Sequence, residues 1–454
     1  MTDLLPYQEK AYQTWKDNGF YGIIEAPTGA GKTKIGVDCI RQFLVEHPNK
    51  KILVLTTSKK VVQQWIEELD RWSITVSDEW DSPKVMTYQM AVNKMYRGGL
   101  TCDCLIADEC QHLATPAHGK VMLTSPQCIL GLSATPEESK AILGEPFYSI
   151  GIDEARICPF TIHMVKFTPT EEEQRSYDKA TFKMECRALD VTEAGWCTKC
   201  LGTGTSWKNA DNETCDRCNG KGHIGGKKYL QPGYDREGWG SYDALVRQRR
   251  EVCYSMPSRI PITVALVKKH YWKPCLDCGG RGYWVADCCH SDCQCEPMNC
   301  DECEGEGKVE TYERIVIFTE RTKDAHKIEQ ELIKEGIQCS MFVKDKDTLK
   351  DFEEHKTNVL IMVKSLREGW DDPTLSVCIM NSLSTRPKIL TQTMGRTMRI
   401  DPNNPDKHAH NYLLIAEGTS DENVRGSLKY PKRYFIEQTA KSATEPSELS
   451  KWIG

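Results

Sequence analysis

Residues 26–33 have the types and spacing of a phosphate-binding loop. They read Ala-Pro-Thr-Gly-Ala-Gly-Lys-Thr, after a short apolar run and before a helix-period stretch. In a strand–loop–helix unit, the glycines let backbone amides point at phosphate, the lysine neutralises the β- and γ-phosphates, and the threonine holds Mg2+. Ala26 departs from the usual pattern, which has glycine there. We predict a nucleoside triphosphate site formed by the following residues: Pro27, Thr28, Gly29, Ala30, Gly31, Lys32 and Thr33.

Two adjacent carboxylates follow another apolar run, at residues 104–107. Asp108 suits the water shell of Mg2+, and Glu109 suits a general base that orients and deprotonates an attacking water. An isolated Asp-Glu pair at a strand end is usually a solvated loop. Because this pair comes after a phosphate-binding loop, we predict that it belongs to the same site, with Thr33 and Asp108 as magnesium ligands.

Two arginines near the C-terminus have a spacing that suits phosphate binding. Residues 392–399 read Gln-Thr-Met-Gly-Arg-Thr-Met-Arg. Arg396 and Arg399 are one helical turn apart, so both guanidinium groups can reach a γ-phosphate that another domain holds. A lone Gly-Arg-x-x-Arg would more often be a solvated helix face, so this prediction depends on the other motifs.

Four blocks share the pattern Cys-x-x-Cys-x-Gly-x-Gly. Two cysteines three residues apart on a tight turn offer two thiolates to one ion, and the glycines let amides approach the sulfurs. Since no export signal precedes them, such pairs indicate metal rather than disulfides. We predict two zinc sites, each with four of the following ligands: Cys197, Cys200, Cys215, Cys218, Cys275, Cys278, Cys300 and Cys303. A third ion is an alternative to a reduced hairpin tip at residues 288–295, which contain Cys288, Cys289, His290, Cys293 and Cys295.

Apolar runs alternate with helix-period stretches in both halves of the chain. Such runs indicate parallel sheets covered on both faces, so the predicted class is α/β with two parallel-sheet domains. The predicted strands are residues 22–24, 52–55, 104–107, 128–132, 314–318, 359–363, 377–380 and 412–415. The predicted helices are residues 34–46, 170–189, 241–270 and 325–335.

The composition divides the chain into three parts. Residues 1–155 form the first predicted domain and residues 312–454 the second. Residues 156–311 form a helical connector that carries zinc-binding insertions at 197–222 and 275–307. The net charge of -6 excludes a uniformly basic nucleic-acid coat but allows a local basic groove. The N-terminus lacks a signal-peptide pattern and no apolar run approaches a membrane span, so we expect a soluble, cytoplasmic protein.

With these motifs the chain resembles a superfamily 2 helicase of the DEAH-like (DECH-type) group, which includes UvsW-type phage helicases and the motor subunits of restriction enzymes. If the gene is phage-encoded, the compartment is the cytoplasm of a bacterial host. The resemblance covers most of the chain outside the cysteine blocks. It rests on seven motifs in the family's order: residues 5–8, 26–33, 56–59 with 63–65, 108–111, 133–135, 368–373 and 392–399.

The resemblance implies two RecA-like domains that close on one ATP. In the family, Gln8 would read the adenine, and Gly369 and Asp371 would contact the nucleotide. Residues 56–59 and 63–65 would touch the nucleic-acid backbone, and residues 133–135 would couple the ATP site to nucleic acid. Gln111 stands where histidine is commoner. The catalytic residues that the resemblance implies are Lys32, Asp108, Glu109, Gln392, Arg396 and Arg399.

The cysteine blocks resemble the zinc domain of DnaJ-type chaperones. In that domain the first block joins the fourth and the second joins the third. We expect the same crossed pairing here, while local pairing of the first with the second and the third with the fourth is the alternative.

We therefore predict a monomeric, ATP-dependent DNA helicase or translocase that acts on forked or branched DNA in replication, recombination or repair. The zinc arm would grip nucleic acid through these residues: Lys199, Lys208, Arg217, Lys221, Lys227 and Lys228. The alternatives are an RNA helicase of the same superfamily, a motor subunit of a restriction system, and a zinc-dependent adaptor or holdase.

Overall fold

The apolar runs of the first half form one parallel sheet. The computed structural model describes residues 4–76, 83–193, 242–284, 298–311, 313–344, 346–363, 370, 372–383 and 387–440. The first sheet has six strands in the order β3-β2-β4-β5-β1-β6, and all its pairings are parallel. Its strands are β1 (Tyr21–Glu25), β2 (Ile52–Thr56), β3 (Lys84–Thr87), β4 (Cys104–Asp108), β5 (Cys128–Ser133) and β6 (Tyr148–Ser149).

Helices cover both faces of this sheet, which is why β2 and β4 are buried along their whole length. One face packs against α1, α2 and α3, and the other against α4 and α5. Their bounds are α1 (Pro6–Asp17), α2 (Lys32–Glu46), α3 (Lys59–Arg71), α4 (Tyr88–Tyr96) and α5 (Lys140–Leu143). Short 3-10 helices span Cys110–Ala114, Gly119–Thr124 and Glu137–Ser139. Helix α4 begins where the Thr87 hydroxyl accepts a hydrogen bond from the Met90 amide at 3.2 Å.

The second half forms an eight-stranded sheet in the order β14-β13-β15-β12-β16-β17-β7-β18. Every pairing in it is parallel except that of β13 with β14. Its strands are β7 (Phe160–Phe167), β12 (Arg314–Thr319), β13 (Cys339–Val343), β14 (Lys346–Asp347), β15 (Val359–Val363), β16 (Leu375–Met380), β17 (Ala409–Ala416) and β18 (Phe435–Ala440). The described residues thus confirm the predicted class of two parallel-sheet α/β domains.

Seven helices accompany this sheet among the described residues. They are α6 (Glu171–Glu193), α7 (Tyr242–Tyr254), α8 (Arg259–Tyr271), α9 (Thr322–Lys334), α10 (Leu349–Glu353), α11 (Pro387–Met394) and α12 (Val424–Ser427). Helices α8 and α9 pack on one face, while α10, α11 and α12 pack on the other. Two 3-10 turns, Ser420–Asn423 and Lys432–Tyr434, precede β18.

Strand β7 differs from the sequence-based division of the chain, which assigned residues 156–311 to a connector. It lies between β17 and β18 in the second sheet and pairs with β17 over its whole length. Helices α7 and α8 contribute to the same hydrophobic core as this sheet. The connector therefore shares its core with the second domain.

The predicted helix at 241–270 is two helices, α7 and α8, with Pro257 between them. Fully buried Arg259 anchors α8, because its guanidinium donates to the backbone oxygens of Cys253, Asn381 and Leu414 and pairs with the Asp421 carboxylate. Removing one member of such a buried pair would leave an uncompensated charge, which is strongly destabilising. The Arg259 contacts therefore hold α8 of the connector firmly against the sheet.

Two short antiparallel strand pairs follow the end of α8. Strand β8 (Trp272–Pro274) pairs with β11 (Lys308–Glu310), and β9 (Tyr283–Trp284) pairs with β10 (Met298–Asn299), both antiparallel. These two ladders carry the third and fourth cysteine blocks. None of the described helices is long and apolar enough to cross a membrane.

Candidate active site

A cavity of about 410 Å³ lies between the two sheets, and both domains contribute to its wall. The first domain supplies Thr28, Gly29, Gly31, Lys32, Thr33, Thr57, Val61, Gln64, Asp108 and Glu109, and the first residue of the connector, Arg156, lies beside them. The second domain supplies Trp370, Pro373, Gln392, Arg396, Arg399 and Ile400. The cavity thus brings together the phosphate-binding loop, the paired carboxylates and the paired arginines that the sequence singled out.

The phosphate-binding loop is held from behind by α1. The Ala30 carbonyl accepts hydrogen bonds from the Tyr7 hydroxyl at 3.1 Å and from Gln8 Nε2 at 3.2 Å. Gly31 has a φ of +78°, and a Cβ there would lie 2.6 Å from Gln8 Nε2. Only glycine fits this position without displacing Gln8. Helix α2 starts at Lys32, so its first amides and its positive end face the cavity, as an anion site requires.

The two carboxylates leave the sheet at the end of β4. Asp108 is buried, and its Oδ2 accepts a hydrogen bond from Trp65 Nε1 at 3.0 Å. Burial, together with the charge of Glu109, raises the pKa of the Asp108 carboxyl above its usual range. Glu109 has left-handed backbone angles, φ 51° and ψ 57°, which cost a non-glycine residue about 1–2 kcal/mol. Such strain at a carboxylate facing a cavity is typical of a functional residue.

The Glu109 carboxylate is oriented by amides from both domains. Gln111 Nε2 donates to Glu109 Oε2 at 2.5 Å, and Gln392 Nε2 of the second domain donates to the same oxygen at 3.3 Å. The other end of the Gln111 amide accepts from the Ser133 hydroxyl at 2.6 Å, and this hydroxyl accepts from the Thr135 amide at 2.9 Å. Gln111 therefore links the candidate base to the Ser-Ala-Thr segment that starts at the last residue of β5.

The paired arginines face the loop from the second domain. Arg396 donates to the Trp370 carbonyl. The Cγ of Arg399 lies 3.7 Å from where a Cβ on Gly29 would be. Buried Lys407 donates to the Arg399 carbonyl at 2.8 Å and to the Pro373 carbonyl at 2.6 Å. Lys407 therefore ties the backbone at the end of the arginine segment to that of Pro373.

Several predicted contacts lie elsewhere than the cavity wall. Gln8, Pro27 and Ala30 are not among the wall residues, and Gln8 packs against the loop backbone instead. Gly369 and Asp371 lie outside the described residues. The resemblance assigned Thr57 and Gln64 to a nucleic-acid contact, but in the structure both line the cavity. Arg156 was missed, because nothing in its sequence neighbourhood distinguishes it from a surface arginine.

Gly395 of the second domain packs closely against Thr28 of the phosphate-binding loop. A Cβ on Gly395 would lie 2.4 Å from the Thr28 Cβ, which is far inside van der Waals contact. We expect Gly395→Ala to hold the domains apart and to lower nucleic-acid-stimulated ATP hydrolysis by about tenfold, with little change in the melting temperature. Gly426→Ala is the matched control, since a Cβ there meets nothing within 4 Å. Wild-type activity in Gly395→Ala would contradict closure through this contact.

The third and fourth cysteine blocks meet in one cluster. Four buried thiols, from Cys275, Cys278, Cys300 and Cys303, lie within 4.8 Å of one another. The Sγ atoms of Cys275 and Cys300 are 3.7 Å apart, as are those of Cys278 and Cys303. A tetrahedron with zinc–sulfur bonds of about 2.3 Å has edges of about 3.8 Å, so the donor set fits zinc.

Backbone amides and glycines complete this cluster in a nearly symmetric way. The amides of Gly282 and Gly307 each donate to a cysteine sulfur at 3.2 Å. A Cβ on Gly282 would lie 2.3 Å from the Gly305 oxygen, and one on Gly307 would lie 2.5 Å from the Gly280 oxygen. The eighth position of each of these two blocks is glycine because the two turns touch through their backbones there.

The crossed pairing expected from the DnaJ-type resemblance is wrong for the described blocks. The third block joins the fourth, because the β8–β11 and β9–β10 ladders bring these two turns face to face. The first and second blocks, with Cys197, Cys200, Cys215 and Cys218, lie outside the described residues. So does the segment with Cys288, Cys289, His290, Cys293 and Cys295, for which a third ion was considered.

Loss of one cysteine should release one zinc ion. We expect Cys300→Ser to lower the zinc content by about one ion per chain, by elemental analysis, and to lower the melting temperature, because metal binding contributes to folding. Cys128→Ser is the control, since this half-buried thiol lies in the first domain, away from the cluster. An unchanged zinc content in Cys300→Ser would exclude this cluster as a zinc site.

Two families match separate parts of the chain. Residues 1–138 match the family described as "Type III restriction enzyme, res subunit". Residues 299–401 match the family described as "Helicase conserved C-terminal domain". The first match contains the phosphate-binding loop and the carboxylates, and the second contains the arginine segment.

Curated relatives include a DNA 3'-5' translocase XPB2 of Sulfurisphaera tokodaii, 27% identical over 202 residues, which are 40% of this chain and 44% of the relative. The XPB helicase/translocase subunit of the general transcription and DNA repair factor IIH of Schizosaccharomyces pombe is 38% identical over 74 residues, 16% of this chain and 9% of the relative. The chain thus spans less than half the length of the curated relatives it matches.

Solved structures share the two-domain fold at low identity. The Pyrococcus furiosus Hef helicase domain gives a TM-score of 0.50 at 17% identity, covering 93% of this chain and 97% of that one. Saccharomyces cerevisiae Dbp5 bound to RNA and ADP BeF3 gives 0.52 at 14% identity, covering 99% and 92%. Both sheet domains are therefore RecA-like. In two separate segments the chain is therefore similar to a restriction-enzyme subunit family and to a helicase C-terminal family, and its curated relatives include XPB-type translocases.

Proposed function

We propose that this chain is an ATP-dependent DNA helicase or translocase. One observation carries the proposal: Lys32 and Glu109 of the first domain and Arg399 of the second line the same cavity. The Gln392–Glu109 hydrogen bond joins the two domains at the candidate base. A nucleotide bound here would be in contact with both domains, so hydrolysis and product release would change how the domains sit against each other.

The residues divide the chemistry between them. The loop amides and Lys32 would hold the β- and γ-phosphates, and Arg396 and Arg399 would face the γ-phosphate from the other side. Glu109 would orient and deprotonate the attacking water. Thr33 and Asp108 fit the ligand set of Mg2+, which when bound neutralises charge on the phosphates.

Gln111 provides a route from the nucleic-acid side to the base. Its amide connects Glu109 to Ser133, which leads into the Ser-Ala-Thr segment. A shift of that segment on binding nucleic acid would change the hydrogen bond that Gln111 makes to Glu109. We infer that this amide takes the place of the commoner histidine in coupling the two sites.

The choice of DNA over RNA is supported by the curated relatives, whose names describe a DNA translocase and a DNA repair factor. We propose forked or branched DNA as the substrate, in replication, recombination or repair. The β8–β11 and β9–β10 ladders with their cysteine cluster form an additional element on a two-domain motor, and such an element could hold DNA at a junction. Its described part, residues 272–284 and 298–311, has three basic and six acidic residues. We therefore assign phosphate contacts to the lysines of the first block pair.

We also infer a monomer in a reducing compartment such as the cytoplasm, which would keep the thiols available for metal.

The proposal is tested by the nucleic acid that stimulates ATP hydrolysis. Rates are measured with single-stranded, duplex, forked and four-way DNA and with RNA of matched sequence. We expect the largest stimulation with forked or four-way DNA. Stimulation by RNA alone would support the RNA helicase alternative. Equal rates with and without any polynucleotide, together with full activity of Lys32→Ala in a binding assay, would favour an adaptor instead.

A further inference from the structure

Tyr88 lies directly behind the candidate base, and none of the sequence motifs includes it. It is the first residue of α4, and its side chain is 2% exposed. The Tyr88 hydroxyl donates to the Asp108 carbonyl at 2.9 Å and lies 3.5 Å from the Glu109 carbonyl. Its hydroxyl therefore reaches the backbone of both catalytic carboxylates at the point where β4 leaves the sheet.

The backbone at this point has an unusual conformation that needs support. Glu109 is left-handed, and its carbonyl accepts the His112 amide at 3.0 Å, which begins the following 3-10 helix. A rotation of this peptide would swing the Glu109 side chain away from the cavity. The Tyr88 hydroxyl opposes that rotation, because it holds the carbonyl just before Glu109.

Two histidines keep the Tyr88 ring in place. The His112 and His118 rings each lie with their centroids 5.5 Å from that of Tyr88. The Thr87 cap fixes the backbone of the same turn from the other side. The hydroxyl is thus aimed by packing on both the ring and the backbone, as a positioning group requires.

We propose that Tyr88 is a positioning residue for ATP hydrolysis, which holds the Asp108–Glu109 turn so that the Glu109 carboxylate faces the attacking water. The inference rests on the proposed function, because it assumes that Glu109 is the base. Tyr88 is not among the residues that line the cavity. Its effect should appear in the chemical step and not in the affinity for ATP.

Tyr88→Phe removes the hydroxyl and keeps the ring packed against both histidines. We expect single-turnover hydrolysis, with enzyme in excess over ATP, to slow by about tenfold. The KM for ATP and the melting temperature should stay close to those of the wild type. The affinity for ADP with aluminium fluoride, which imitates the transition state, should fall by a similar factor, while the affinity for ADP alone should not.

Tyr412→Phe is the matched control, because it also removes a buried hydroxyl, one that is hydrogen-bonded to His270 Nε2 at 2.8 Å in the second domain. It should hydrolyse ATP at the wild-type rate. A Tyr88→Phe rate within twofold of wild type, or a loss that appears equally in ADP affinity, overturns the inference and leaves the proposed function standing. A wild-type chain without ATPase activity overturns both.

Discussion

Glu109→Gln is expected to lower the rate of ATP hydrolysis by about a thousandfold, which is within the range for loss of a general base. The substitution keeps the size of the side chain but removes the group that accepts the proton from water. The amides of Gln111 and Gln392 both donate to Glu109 Oε2, so a glutamine can keep these hydrogen bonds through its carbonyl oxygen. The site should therefore still assemble and bind ATP, and only the chemical step should fail.

Steady-state phosphate release with saturating forked DNA measures the rate, and a fluorescent ATP analogue measures binding. Glu145→Gln serves as the matched control, because this carboxylate is 77% exposed and pairs with Lys140 in the same domain. It should behave as wild type. If Glu109→Gln kept more than a tenth of the activity, another group would have to be the base, and the assignment of Glu109 would be wrong.

The strands were the most predictable part of the fold. Each strand inferred from an apolar run lies inside an observed strand, and residues 359–363 coincide with β15. These strands are central in their sheets, so both faces are buried and the apolar signal is continuous. Strands such as β7 and β18 carry polar residues among the apolar ones, and they join the sheet through partners far away in sequence. No local pattern predicts that pairing.

The residues that line the candidate ATP site were predictable because the chemistry of each motif fixes the spacing of its residues in sequence. The loop, the carboxylates and the arginines each carry a spacing that the structure brings to one cavity. The positions of Tyr88 and Arg156 were not predictable, nor was the hydrogen bond of Trp65 to Asp108 in place of the nucleic-acid contact that its motif implied, because each depends on a contact between elements that are distant in sequence. The Trp65 indole reaches Asp108 across 43 positions, for example. The prediction of how the cysteine blocks pair was wrong for a related reason, since the pairing depends on which short strands form ladders.

The second large effect concerns Arg399. We expect Arg399→Lys to lower nucleic-acid-stimulated ATP hydrolysis by about a thousandfold, within the range for loss of an arginine finger. A lysine keeps one positive charge but loses the planar fork that binds two phosphate oxygens at once. Lys407 donates a hydrogen bond to the Arg399 carbonyl and so holds the backbone at this position. The backbone therefore cannot move toward the phosphate to compensate for the contacts that a lysine side chain would lose.

ATP binding should survive in this variant, because the loop and the Gln8 contact that supports it belong to the first domain. Arg175→Lys is the control, since this arginine is 79% exposed on α6, pairs with neighbouring Glu171 and is not part of the cavity wall. The two readouts separate the roles of the domains: phosphate release depends on the second domain, while binding of the fluorescent analogue depends on the first. If Arg399→Lys bound ATP and hydrolysed it at the wild-type rate, the second domain would not complete the site, and the proposed motor mechanism would fail with it.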